Sequence, residues 1–158
     1  MFPTLGLYVI TCLDPRVDPA HTLGLGLSDA MVVRNAGGRV TPEVIDDVAF
    51  IGQLAEMMLP DGPLFEVAVI HHTQCGTGAL ADDAFRARYA QRIGADESAL
   101  SEHAVLDPFA TVRHDVELLR SAPAISPRVS VSGHVYDVLD GLVETVVPTA
   151  DAVTPATR

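Results

Sequence analysis

In the segment Val9-Ile10-Thr11-Cys12-Leu13-Asp14-Pro15-Arg16 a thiol, a carboxylate and a guanidinium occupy alternate positions directly after an apolar run. Alternate residues of an extended chain project to one side, so Cys12, Asp14 and Arg16 are expected to face one spot. Much later in the chain, His72-Thr73-Gln74-Cys75 has the spacing His-x-x-Cys, which in a tight turn brings an imidazole and a thiolate to one point. Cys12 and Cys75 are the only 2 cysteines. A shared site and two unrelated buried thiols are the competing explanations for them.

Two sulfurs and one imidazole nitrogen make a ligand set suited to Zn²⁺. Three protein ligands leave a fourth tetrahedral position open, as in a catalytic rather than a structural zinc site. A free carboxylate would compete for that position. A guanidinium holding Asp14 through two charge-assisted hydrogen bonds keeps it off the metal, with a lone pair left for the proton of a metal-bound water or hydroxide. Zinc in a three-histidine site brings the pKa of its water to about 7, and two thiolates, which donate more charge, lower it less. Asp14 would offset that by fixing the proton and orienting the nucleophilic lone pair. A non-catalytic zinc or redox-sensing module is the contrary reading, and it has no use for Asp14 and Arg16.

For these residues to meet, the ends of two strands must share one edge of a sheet. Leu5–Thr11 is short, apolar and partly β-branched, which predicts a buried strand of the parallel kind ending at Cys12. Ala30–Arg34 predicts a second, closed by Asn35-Ala36-Gly37-Gly38, whose glycines permit tight backbone. Thr41 as N-cap, Pro42 at the first helical position and the acids Glu43, Asp46 and Asp47 near the positive end of the dipole predict a helix. Its apolar face is Val44, Ile45, Val48, Ile51, Leu54, Ala55 and Met58, and Pro60-Asp61-Gly62-Pro63 stops it. Leu64–Ile70 predicts a third strand that delivers the chain to His71 and His72. Helices are expected from about Ala79 to Ile93 and from Asp107-Pro108 to about Arg120. Arg128–Tyr136 and Leu142–Val147 read as strands joined around Asp140-Gly141, a hairpin signal, and the Thr/Ala-rich tail after Val147 is expected to be loose.

Strands alternating with helices imply an α/β fold: a mainly parallel sheet of about four parallel strands plus an antiparallel edge strand, flanked by helices. Ligands of open α/β sheets bind beyond the carboxyl ends of the strands. Cys12 and Cys75 both follow a strand, so they are expected to be neighbours in space.

The chain of 158 residues fits one domain, 1–158. A net charge of −11 with only 10 Lys plus Arg opposes a nucleic-acid partner. No apolar run suffices for a membrane span and no secretory signature is evident at the N-terminus, so a cytoplasmic location is expected. His71 neighbours a ligand but points the other way, and is expected to pack or hydrogen-bond. His21, His103, His114 and His134 read as ordinary surface or satisfied histidines. Gly24-Leu25-Gly26 and Gly76-Thr77-Gly78 read as turns rather than phosphate loops, with Gly76 letting backbone approach the metal or its substrate. Arg34 is open between lining the site, bridging subunits and being a solvated charge; Asp18 and Arg39 receive no role.

Cys-x-Asp-x-Arg at the end of the first strand with His-x-x-Cys-Gly at the end of a later one resembles the β-class carbonic anhydrases. Val33-Arg34-Asn35-Ala36-Gly37-Gly38 is similar to the segment lining that family's cleft, and the order of elements agrees over about residues 3 to 147. The resemblance implies Zn²⁺ on Cys12, His72 and Cys75, a catalytic Asp14–Arg16 dyad, substrate contacts from Asn35, Ala36, Gly37 and Gly76, and reversible hydration of CO₂ to bicarbonate and a proton. It also implies a homodimer or tetramer with the cleft at the subunit interface. "HHTQCG" resembles a compact bacterial subgroup that includes carbonyl sulfide and carbon disulfide hydrolases, which makes those substrates the alternative to CO₂.

Overall fold

The computed structural model describes residues 2–149. The expectation of a loose tail therefore lies, beyond Thr149, outside the described residues.

Five strands form one sheet in the order β2-β1-β3-β4-β5. β1 (Leu7–Cys12) lies between β2 (Ala30–Asn35) and β3 (Glu66–His72) and is parallel to both; β4 (Ser130–Tyr136) continues the parallel set. β5 (Val143–Val147) closes the far edge antiparallel to β4. The first strand starts later than the apolar run because Gly6, at φ 59°, turns the chain. It also runs one residue further, so Cys12 is its last member, paired with Asn35 of β2.

From β1 the chain moves to one side, to β2; from β3 it moves to the other, to β4. The two connections leave the sheet in opposite directions, so they diverge above the adjoining ends of β1 and β3. This is the crevice where open α/β sheets bind ligands, and both candidate motifs open onto it.

One face of the sheet carries the main core. Helix α2 (Pro42–Met58) contributes Val44, Val48 and Ala55, and α5 (Pro108–Ser121) contributes Val112, Val116 and Leu119, all packed with Tyr8, Ile10, Val67, Val69, Val131 and Val135 of the strands. α2 starts as its sequence predicts, with the Thr41 side chain accepting from Val44 N–H. At Gly133 a β-carbon would come within 2.8 Å of Val116 Cγ2, so this glycine lets α5 lie close on β4. On the opposite face Val9, Ala68 and Ile70 are covered by Leu23 and Leu25 from the β1–β2 connection, which contains the short helix α1 (Pro19–Thr22).

The helix expected over Ala79–Ile93 is divided. Gly76–Ala81 is 3₁₀, and Asp82 then accepts from Phe85 N–H at 2.7 Å and starts α3 (Asp83–Ile93). The aspartate cap resets the helix start, which apolar spacing alone does not reveal. The short helices α1 and α4 (Glu97–Glu102) were not expected; each is too brief for a periodic apolar face and each is started by an aspartate, Asp18 and Asp96.

Candidate metal centre

Cys12, His72 and Cys75 meet at the switch point, buried, with their sulfur and nitrogen atoms all within 4.8 Å of one another. The two sulfurs are 3.9 Å apart. Tetrahedral zinc with Zn–S bonds of about 2.3 Å needs about 3.8 Å between its sulfurs. The imidazole is set for the same purpose. His72 Nδ1 lies 2.9 Å from the Thr73 carbonyl, which can only accept, so Nδ1 carries the proton and the Nε2 lone pair is bare. Among the described residues that Nε2, a buried polar atom, has no hydrogen-bond partner, which is costly unless something is bound there. The donor set thus fits a zinc ion.

The hydrogen bond between the sulfurs splits their acidities. Their mutual hydrogen bond pulls the Cys75 thiol down and, together with burial, pushes the Cys12 thiol up. Asp14 N–H also points at Cys12 Sγ, 3.4 Å away, and the Thr77 hydroxyl lies 3.1 Å from Cys75 Sγ.

Asp14 and Arg16 form a closed pair beside these ligands. The carboxylate accepts from Arg16 Nε at 3.0 Å, from Nη2 at 2.7 Å and from the Arg16 backbone N–H at 2.9 Å. These bonds, led by those from the guanidinium, hold the Asp14 carboxyl at about 2. Strand alternation is not what joins them: β1 ends at Cys12, and Asp14 caps a single 3₁₀ turn, Pro15–Val17, that folds Arg16 back onto it. Arg16 Nη2 also donates to the Gln74 carbonyl at 3.1 Å, tying the first motif to the second. Gln74 sits at φ 56°, a left-handed conformation uncommon for a non-glycine residue.

Arg34, left open by sequence, donates to the carbonyls of Cys12 at 3.0 Å and Asp14 at 2.8 Å and pairs with Asp18 at 2.7 Å. It supports the dyad segment from behind. The Asn35 side chain bonds both the N–H and the carbonyl of Arg39, closing the Ala36–Gly38 turn. Within that turn Gly38, at φ 67°, lies so close to β1 that a β-carbon would come within 2.8 Å of Cys12 N. A β-carbon on Gly37 would be 3.1 Å from Thr77 Oγ1, whereas one on Gly76 would meet nothing within 4 Å. Backbone at Gly38 therefore approaches the ligand Cys12 closely, Gly37 abuts Thr77 next to Cys75, and Gly76 leaves open space beside Cys75.

His71 turns away from the ligands, as strand alternation requires. Its Nδ1 lies 2.7 Å from Thr111 Oγ1, and its Nε2 faces the Gly38 carbonyl at 3.2 Å and Asp115 at 3.3 Å. Asp115 is fully buried and also takes both ends of an Arg39 fork at 2.8 Å. Burial raises the Asp115 carboxyl, and the hydrogen bonds from Arg39 and His71 outweigh it, leaving the group at about 2. Sequence reasoning missed this network. The available signal was an acid at position 115 within the apolar stripe Val112, Val116 and Leu119.

A family model described as "Carbonic anhydrase" matches residues 7–96, more than half of the chain. The chain is 29% identical over 148 residues to "Beta-carbonic anhydrase 1" of Mycobacterium tuberculosis, with 94% of this chain and 86% of that protein covered. It is also 29% identical to a "Carbon disulfide hydrolase" of an Acidianus species, covering 84% of this chain and 72% of that one. Among solved structures, a crystal structure of carbonic anhydrase from Streptococcus mutans superposes with a TM-score of 0.75 at 34% identity, over 92% of this chain and 83% of that chain.

Proposed function

The chain belongs to the β-carbonic anhydrase family, and on that premise we propose that it is a zinc enzyme catalysing the reversible hydration of CO₂ to bicarbonate and a proton. The observation that carries this reading is the bare, buried Nε2 of His72 facing two sulfurs 3.9 Å apart, beside a carboxylate already restrained by a guanidinium. Cys12, His72 and Cys75 would hold the zinc, and the ion would supply a nucleophile by lowering the pKa of water and a Lewis acid for the developing charge.

The remaining work falls to the chain itself. With its pKa lowered to about 2, chiefly by the Arg16 guanidinium, Asp14 stays ionised across the physiological range and can only accept a hydrogen bond. Lying beside the candidate ligands, it would accept a hydrogen bond from a water or hydroxide bound there and so orient that oxygen toward the substrate carbon. Arg16 engages both carboxylate oxygens, which keeps Asp14 from becoming a ligand itself. At the crevice the Ala36–Gly38 turn brings glycine backbone against β1 and Thr77, and Gly76 leaves open space beside Cys75.

Carbon disulfide or carbonyl sulfide hydrolysis by the same residues is the second reading, favoured by the carbon disulfide hydrolase relative. Exchange of oxygen for sulfur lengthens the substrate without altering the attack, so the room available beside the site decides. Paired rates on the zinc-loaded protein separate the two: hydrogen sulfide release from CS₂ or COS faster than CO₂ hydration under matched conditions overturns the preference for CO₂.

The whole chain is taken as one domain that works in the cytoplasm, a reducing compartment suited to two free thiols. Large apolar side chains stand exposed at the end of the sheet that bears the site, Leu13, Leu139 and Leu142 among them. A second copy covering them makes a homodimer, or a tetramer by further pairing; sedimentation of the chain as a monomer at micromolar concentration contradicts this. No helix among the described residues is long and apolar enough to cross a membrane.

A further inference from the structure

A fully buried ion pair sits behind the metal centre and touches none of its ligand atoms. Asp115 and Arg39 join α5 to the segment after the Ala36–Gly38 turn, and Asp115 also accepts from Val40 N–H at 2.9 Å. Arg39 Nη1 donates to the Glu102 carbonyl. A buried ion pair is weak evidence for stability, because apolar residues of equal volume fold as well or better, so its presence calls for another account.

The turn it holds supplies that account. On one side Gly38 is in close contact with the backbone of Thr11 and Cys12; on the other Gly37 abuts Thr77, whose hydroxyl reaches Cys75. The Gly38 carbonyl is held in addition by His71 Nε2, from the residue just before ligand His72. The turn is therefore a wedge between the half of the ligand set on β1 and the half that follows β3. Shifting it changes the separation of Cys12 from Cys75.

We propose that Asp115 and Arg39 are positioning residues for the metal centre: their ion pair fixes the wedge and with it the spacing of the ligands. The proposal rests on the zinc reading above. It concerns preorganisation of the site, a role that stability of the fold does not require.

The test replaces the pair by apolar groups of similar size, Asp115→Leu with Arg39→Met, and measures thermal stability, zinc affinity by chelator competition and CO₂ hydration. The expected result is a protein that still folds cooperatively, its midpoint lowered modestly because Val40 N–H loses its acceptor, with zinc affinity weakened about 10- to 100-fold, the range for loss of outer-shell support, and kcat reduced with little change in KM. Parent-level zinc affinity and kcat in a stably folded double variant overturn the proposal. Should that variant fail to fold, Arg39→Lys keeps the charge and drops the fork; its zinc affinity must fall by threefold or more while its melting midpoint stays close to the parent's, and unchanged affinity overturns the proposal equally. A parent protein that binds no zinc refutes the zinc reading itself, a distinct outcome.

Discussion

Substituting alanine at Gly38 separates the cost of a left-handed backbone from the cost of disturbing the metal centre. Gly38 and Gly94 have nearly the same φ, 67° and 68°, but a β-carbon on Gly94 meets nothing within 4 Å, whereas on Gly38 it comes to 2.8 Å from both Cys12 N and Thr11 C. The backbone term is common to both and amounts to about 1 kcal/mol. Contact distances for non-bonded heavy atoms are about 3.5–4.0 Å, so at Gly38 the turn and β1 must separate by about 0.7–1 Å. Overpacking of this kind costs a further 1–3 kcal/mol or so. Displacing the backbone of a ligand by about 1 Å costs about 100-fold in rate where geometry is set for reaction. Urea denaturation, zinc content and stopped-flow CO₂ hydration of Gly38→Ala and Gly94→Ala are therefore expected to diverge: Gly94→Ala loses about 1 kcal/mol with zinc and turnover intact, and Gly38→Ala loses at least twice the stability and about 100-fold in kcat. Equal effects of the two substitutions on all three measures would refute the reasoning.

Asp14→Asn keeps the shape of the side chain and removes its acceptor charge; zinc content is expected to be unchanged while kcat falls about 100-fold or more, and retained turnover excludes Asp14 as the orienting group. His72→Ala removes the only nitrogen of the ligand set, so dialysed protein is expected to lose its zinc, measured by elemental analysis. Acid stability follows from Asp115, whose native carboxyl at about 2 lies below its ordinary value of 3.8. A depressed acid stabilises above its unfolded pKa and loses that contribution as pH falls toward the native one. Asp115 contributes on the order of 2 kcal/mol near neutrality and loses about half of it between pH 6 and pH 3. Metal-free parent protein is thus expected to lose about 1 kcal/mol more over that interval than Asp115→Leu/Arg39→Met, and identical denaturant midpoints across the range contradict it.

The sheet was legible because its strands leave short β-branched apolar runs: Val9-Ile10 and Val67 to Ile70 are buried on both faces, while Val32-Val33 lies on the edge strand β2, where Val32 is exposed. The juxtaposition of Cys12 with Cys75 followed from topology, since two strand ends at a switch point are neighbours whatever their separation in sequence. Bounds drifted where one capping residue decides, as at Asp82, or where a glycine turn trims a strand, as at Gly6. Arg34, Arg39 and Asp115 could not be read because their partners are backbone carbonyls and charges distant in sequence, and a charge seen alone is most often solvated. Asn35 illustrates the reverse case. Its motif suggests contact with substrate, while its side chain is spent on closing the turn around Gly37 and Gly38.

The central claim is that Cys12, His72 and Cys75 hold a zinc ion at which CO₂ is hydrated. Stopped-flow CO₂ hydration by zinc-loaded protein, run beside Cys75→Ala prepared in the same way, tests it most directly. Catalysis by the parent protein far above the buffer rate, with the variant at that rate and depleted of zinc, is the predicted result; parent and variant hydrating CO₂ equally contradicts it.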